Sequence, residues 1–112
     1  MKKIEAIVRL SQFDSVRDGL GKIGVKFFTL LDVKGFGLQE GAKMVYRGSV
    51  FDPSYIARLQ LDILAEDEKV EEIINVIVAS GRTGEVGDGK IVVLPVDSIT
   101  RIRTGEKGAE AL

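Results

Sequence analysis

The chain has no cysteine, no histidine and no tryptophan among its 112 residues. Without cysteine there is no disulfide and no thiol chemistry. Without histidine the commonest general base and the usual zinc ligand are missing. Neither sign of charge dominates: 16 Lys and Arg stand against 17 Asp and Glu, a formal net charge of −1. That balance argues against bulk binding to nucleic acid or a membrane surface, while leaving room for a local basic pocket. No run approaches the roughly 20 apolar residues that span a bilayer. Met1-Lys2-Lys3-Ile4-Glu5 is too acidic, and its apolar run too short, for a signal peptide. The expectation is one soluble, cytoplasmic domain over residues 1–112, a length that supports one modest core but not two.

The apolar residues that are present fall into periods. Residues 3–10 alternate, with Ile4, Ala6, Val8 and Leu10 on one side and Lys3, Glu5, Ile7 and Arg9 on the other, which predicts a strand with one buried face. Asp14 suits an N-cap, and Phe13, Val16, Leu20 and Ile23 follow at helical spacing until Gly21 and Gly24 stop the helix. A second strand is predicted over residues 26–33 and a third over 58–64, through Leu59, Leu61 and Ile63. Asp67 suits the cap of a helix carrying Val70, Ile73, Ile74 and Ile77 inward and ending before Gly81; residues 91–96 make the fourth strand.

The order is strand–helix–strand, long loop, strand–helix–strand, with halves of similar length. Two such units in one sheet make an α+β, ferredoxin-like βαββαβ fold with both helices on one face. The other face then needs cover. Ile7, Phe28 and Leu30 are expected there, exposed in a monomer, either as a small patch or buried against other subunits.

Residues 82–90, Arg82-Thr83-Gly84-Glu85-Val86-Gly87-Asp88-Gly89-Lys90, separate the second helix from the last strand. Gly84, Gly87 and Gly89 allow such a loop to turn its N–H groups around an anion, and Lys90 at its exit supplies a point charge. A basic segment follows at residues 101–112, beginning Arg101-Ile102-Arg103-Thr104-Gly105. In an extended stretch Arg101 and Arg103 would face the same side. Together the two clusters suggest a polyphosphate site, although a glycine loop followed by lysine also suits an ordinary turn.

The loop of residues 35–55 has four glycines, a proline and no sustained period. Loops this long in small domains tend to be functional or disordered. Tyr46-Arg47-Gly48 combines an aromatic with a cation, residue types that anchor interfaces; a solvated loop is the plainer reading. Lys34-Gly35-Phe36-Gly37 matches the start of an RNA-recognition signature, but Leu38-Gln39-Glu40-Gly41 follows where strand aromatics are needed to stack bases. No nucleic-acid partner is expected.

The chain resembles the PII signal-transduction proteins (nitrogen regulatory protein P-II), trimeric sensors of nitrogen and energy status. The likeness runs from Met1 to Leu112. It is carried by Met1-Lys2-Lys3-Ile4-Glu5-Ala6-Ile7, Val33-Lys34-Gly35-Phe36-Gly37, Tyr46-Arg47-Gly48, Arg82-Thr83-Gly84 with Gly87-Asp88-Gly89-Lys90, and Ile102-Arg103-Thr104-Gly105-Glu106. The resemblance implies a homotrimer binding ATP or ADP in clefts between subunits. Gly87, Asp88, Gly89 and Lys90 of one subunit and Arg101 and Arg103 of its neighbour would hold the phosphates. Thr29, Gly35, Phe36 and Gly37 would line the nucleotide, with Ile7 and Leu64 near the base. It further implies that 2-oxoglutarate binds beside ATP through Mg²⁺, with Gln39 as a metal ligand. Arg9 matches a position near the acid, and Arg58 replaces the family's lysine for the distal carboxylate, keeping charge but changing reach. Residues 37–55 correspond to the family's T-loop, which binds protein targets through positions such as Tyr46, Arg47 and Gly48.

The departures are specific. Leu38 stands where the family often has Arg, and Asp62 where Glu is usual. Phe51 occupies the position of a tyrosine uridylylated in many members, which excludes that modification there. Ser49 matches a site phosphorylated in some photosynthetic members, and Val50, Pro53 and Ile56 make the loop more apolar. The implied function is a non-enzymatic sensor in which ATP, ADP and 2-oxoglutarate select T-loop conformations that bind or release a nitrogen-metabolism target, an ammonium channel first among them. Two alternatives stay open: a sensor of a different effector, such as another carboxylate or bicarbonate, and a slow ATPase using Lys90, Arg101 and Arg103.

Overall fold

The computed structural model describes residues 1–36, 44–46, 49–51 and 55–112, and only the backbone at 44–46, 49–51 and 55. Strict alternation builds β1 (Lys2–Val8), whose Ile4, Ala6 and Val8 are buried. A single 3₁₀ turn, Leu10–Gln12, leads directly into α1 (Phe13–Lys22). The helix starts two residues earlier than an Asp14 cap would place it, with Gln12 at the cap, so Asp14 lies inside the first turn. There it favours the helix dipole and pairs with Arg17 at 3.5 Å. The second helix, α2 (Asp67–Gly81), differs from expectation in the same way. Glu66 takes the extended cap position, and Asp67 in the first turn pairs with the Met1 amino group at 2.6 Å. The helix also runs through Gly81, which is buried where a Cβ would touch Val16 and Val8.

Strands β2 (Thr29–Phe36), β5 (Tyr55–Ala65) and β6 (Lys90–Pro95) complete the sheet with β1, in the order β2-β5-β1-β6, every neighbour antiparallel. This is the ferredoxin-like arrangement. Between β2 and β5, where the sequence shows no period, β3 (Met44–Tyr46) pairs antiparallel with β4 (Ser49–Phe51). The core lies between the sheet and the two helices: Ile4, Ala6, Val8, Leu61, Ile63 and Ala65 from the strands meet Val16, Leu20, Ile73 and Ile77.

Register settles which side chains share a face, because residues directly opposite across two strands point the same way. Leu30 stands opposite buried Leu61, so it lies on the helix-covered face. Phe28 packs on that core too, with its ring edge-on to Phe13 at 6.2 Å. The open face expected for Phe28 and Leu30 instead carries Leu31, in the row Leu31–Gln60–Ile7–Lys90, and Val33 opposite Arg58. Period-2 patterning gives two sets of side chains without saying which set meets the helices. Leu64, Leu94 and Val92 share the open face around a polar centre, where Lys3 lies 3.2 Å from Glu5 and 3.5 Å from Asp62. Glu5, and then Asp62, raise the Lys3 pKa.

Candidate functional site

Residues 82–90 form a tight loop from α2 into β6. Gly87 and Gly89 adopt φ of 100° and 101°, which residues with a Cβ rarely do. The loop also crosses β1 so closely that a Cβ on Gly89 would lie 1.8 Å from the Ile7 carbonyl oxygen. Only glycine fits there.

Asp88 organises the loop from within. Its carboxylate accepts hydrogen bonds from the Thr83 and Gly84 amides, each at 2.9 Å, and from the Thr83 hydroxyl. Arg9, just past the end of β1, donates Nε–H to the same carboxylate at 2.8 Å and Nη2–H to the Val86 carbonyl at 2.8 Å. Arg58 of β5 donates to the Gly87 carbonyl at 3.0 Å and to the Ala57 carbonyl at 2.9 Å. The Arg9 guanidinium first, then the Thr83 and Gly84 donors, hold the Asp88 pKa well below the usual carboxylate range. Thr83 is a loop-organising residue that sequence reasoning missed; its signal was a hydroxyl beside a glycine and five residues before an aspartate.

Lys90 opens β6 directly across from Ile7 on the open face, with no ion-pair partner among the described residues. A cleft of about 290 Å³ extends from Asp88, Gly89 and Lys90 along Ile7, Ile74 and Val78. Gly35 lies opposite Ile56, and Phe36 opposite Tyr55, at the end of the sheet that also holds Arg58. Thr29 and Leu64 lie elsewhere. Leu64 is in the row of Lys3, four residues along β1 from Ile7, which is about 13 Å at strand spacing. The residues expected around the nucleotide therefore form two separate sets within one chain.

The segment after β6 is closed on itself. Thr100 bridges Lys107, and Arg101 binds Glu106 at 3.1 Å and the Leu112 carbonyl at 2.9 Å. Residues 102–104 are a turn, so the extended alternation expected to align Arg101 with Arg103 does not apply. Arg103 is exposed, with no ion-pair partner among the described residues. Gly37, Gln39, Arg47 and Gly48 lie outside the described residues, as does the side chain of Tyr46. No described group of three or more acidic, histidine or cysteine residues could hold a metal.

Residues 1–106 match the family model described as nitrogen regulatory protein P-II. The nitrogen regulatory protein P-II of Microchaete diplosiphon is 44% identical over 112 residues, covering all of both chains. That of Azospirillum brasilense is 42% identical over the same span. Among solved structures, Arabidopsis thaliana PII bound to citrate superposes with a TM-score of 0.80 at 39% identity, over 98% of this chain and 87% of that one.

Proposed function

The chain belongs to the nitrogen regulatory protein P-II family, and from that premise we propose a cytoplasmic, non-enzymatic sensor whose adenine-nucleotide site lies between copies of the chain. The observation that carries this reading is the division of the expected site into two sets. The cradle of Gly87, Gly89 and Lys90 lies at one end of the sheet with Ile7 and Gly35, while Leu64 lies about 13 Å away on the same open face. One nucleotide meets both sets if one copy supplies the cradle and a neighbour supplies Thr29, Leu64, Arg101 and Arg103. Head-to-tail contacts of that kind close into rings, and the half-exposed Leu31, Leu64, Val92 and Leu94 supply apolar surface for them. A homotrimer is the proposed ring.

ATP and ADP compete for this site, with phosphates on the amides of residues 87–90 and on Lys90. Asp88 belongs to the site as the residue that shapes the loop. In the presence of Mg²⁺, 2-oxoglutarate binds beside ATP, with Gln39 as a metal ligand and Arg9 and Arg58 facing the acid. The ion supplies charge neutralisation between phosphate and carboxylate oxygens. Residues 37–55, with Tyr46, Arg47 and Gly48, then present or withdraw a surface for a protein target, for which an ammonium channel is the first candidate. Calorimetry with ATP, ADP and 2-oxoglutarate, with and without Mg²⁺, tests the ligands; acid binding is expected only with Mg²⁺ and ATP together. A stable monomer at micromolar concentration in sedimentation would remove the shared site.

A second reading keeps the nucleotide and changes the acid. Arabidopsis PII has been solved with citrate bound, and Arg58 brings a planar fork where the resemblance implies a lysine. Citrate and bicarbonate belong in the same titrations; tighter binding of either than of 2-oxoglutarate selects this reading.

A further inference from the structure

Arg9 and Arg58 are the two cations that the resemblance assigns to a small acid, yet both forks are engaged with the phosphate loop. Arg9 reaches the Val86 carbonyl and Asp88, and Arg58 reaches the Gly87 carbonyl. In a trans peptide the carbonyl of one residue and the N–H of the next point in opposite directions, and there is no cis peptide among the described residues, residues 82–90 included. Drawing the Val86 and Gly87 carbonyls toward the arginines therefore turns the Gly87 and Asp88 N–H groups away from them. Those are two of the amides an anion cradle needs. Gly87 is seated against both guanidinium groups: a Cβ there would lie 3.0 Å from Arg58 Nη2 and 3.4 Å from Arg9 Nη2. At the other end of the loop, Asp88 ties down the Thr83 and Gly84 amides.

We infer that Arg9, Arg58 and Asp88 form a clamp that orients the phosphate-loop amides, so that nucleotide affinity depends on these residues when no carboxylic acid is present. They are positioning residues, acting on the anion through the backbone they hold. The inference rests on the reading of residues 82–90 as the phosphate site. It goes beyond that reading by making Arg58, on the strand that leaves the long loop, part of the nucleotide site's own framework. An acid that draws Arg58 from the Gly87 carbonyl then acts on the loop that holds the phosphates.

The test measures ATP and ADP binding by calorimetry in buffer free of carboxylic acids, for the parent, Arg58→Ala, Arg58→Lys and Asp88→Asn. Arg58→Ala should weaken both nucleotides about tenfold, the size of one charge-assisted hydrogen bond, and Arg58→Lys should recover part of that loss through its remaining donor. Asp88→Asn should weaken binding and speed hydrogen exchange at the Thr83 and Gly84 amides, with exchange in β1 and β5 unchanged. Parent-like nucleotide affinity in Arg58→Ala, with only acid binding lost, would overturn the clamp. So would unaltered exchange at Thr83 and Gly84 in Asp88→Asn. If the parent itself bound neither nucleotide, the phosphate reading would fall, whereas the exchange measurement would still decide whether Asp88 holds the loop.

Discussion

In the loop of residues 82–90 the carbonyls of Val86 and Gly87 lean on Arg9, just past the end of β1, and on Arg58 of β5. In residues 101–112, by contrast, Arg101 turns back on Glu106 and Leu112 of its own segment. Both stretches combine glycine with cations, but the first takes its shape from the sheet and the second from itself. A loop held by strands distant in sequence keeps its geometry as long as the sheet does. A self-closed segment holds its arginine within itself, so that loss of its internal ion pair breaks no strand pairing. One is a cradle fixed by the sheet, the other a self-closed arm.

The sharpest way to break this comparison is at the point where the loop touches the sheet. Gly89→Ala puts a Cβ on the Ile7 carbonyl at a φ of 101°, a conformation that alone costs of order 1–3 kcal/mol for a residue with a side chain. Nucleotide binding should fall below detection in calorimetry and the melting temperature should drop. Parent-like behaviour would mean that the loop is not fixed by β1.

Next in size is Lys90→Ala. Lys90 is exposed, with no ion-pair partner among the described residues, so its removal should leave the melting temperature unchanged. It should cost nucleotide binding about 1.5–3 kcal/mol, tenfold or more in affinity. Equal affinity in the variant would remove the phosphate assignment.

The arm is probed by a pair of substitutions with opposite signs. Arg103→Ala should weaken nucleotide binding, whereas Glu106→Ala releases Arg101 from its internal partner and should strengthen it. Exposed ion pairs are worth about 0.2–1 kcal/mol, so the gain should stay within roughly fivefold and shrink as salt rises. Weakening in Glu106→Ala would show that the internal pair shapes the segment for binding instead of competing with it.

The smallest effect concerns pH. The pKa of Asp88 is depressed by Arg9, Thr83 and Gly84, so its contribution to stability is fully present above the ordinary carboxylate value of about 3.9. It is lost only as pH falls below that toward the depressed folded value. Asp88 should therefore add no pH dependence between about pH 5 and 8, with destabilisation appearing in acid. Urea melts of the parent and Asp88→Asn should differ less as pH falls below about 4. An Asp88-dependent change near neutrality would contradict the Arg9 pairing.

Both helices and the four strands of the main sheet were legible because each repeats its apolar residues at its own period. Ile4, Ala6 and Val8 alternate, and Ile73 and Ile77 recur one turn apart; all five are buried. The glycine loop was legible because Gly87 and Gly89 stand where positive φ is required. Asp14 and Asp67 misled because a good capping residue remains favourable one or two positions further in, beside the same dipole. Phe28 and Leu30 misled because alternation is symmetric between faces. The structure pairs Leu30 with Leu61, and that register has no local signal.

The order of elements, the likeness to one family and the glycines that shape the loop between α2 and β6 follow from the sequence by itself, because each depends on neighbours within a few turns of chain. The direction of the arginine forks does not. Arg9 and Asp88 are 79 residues apart in the chain, and Arg58 and Gly87 are 29 apart. They meet because β1 lies between β5 and β6 in a single register. Only the assembled sheet places one cation from the end of β1 and one from β5 on consecutive carbonyls of one loop, since a hydrogen bond has a reach of about 3 Å and only the tertiary fold brings such distant residues within it.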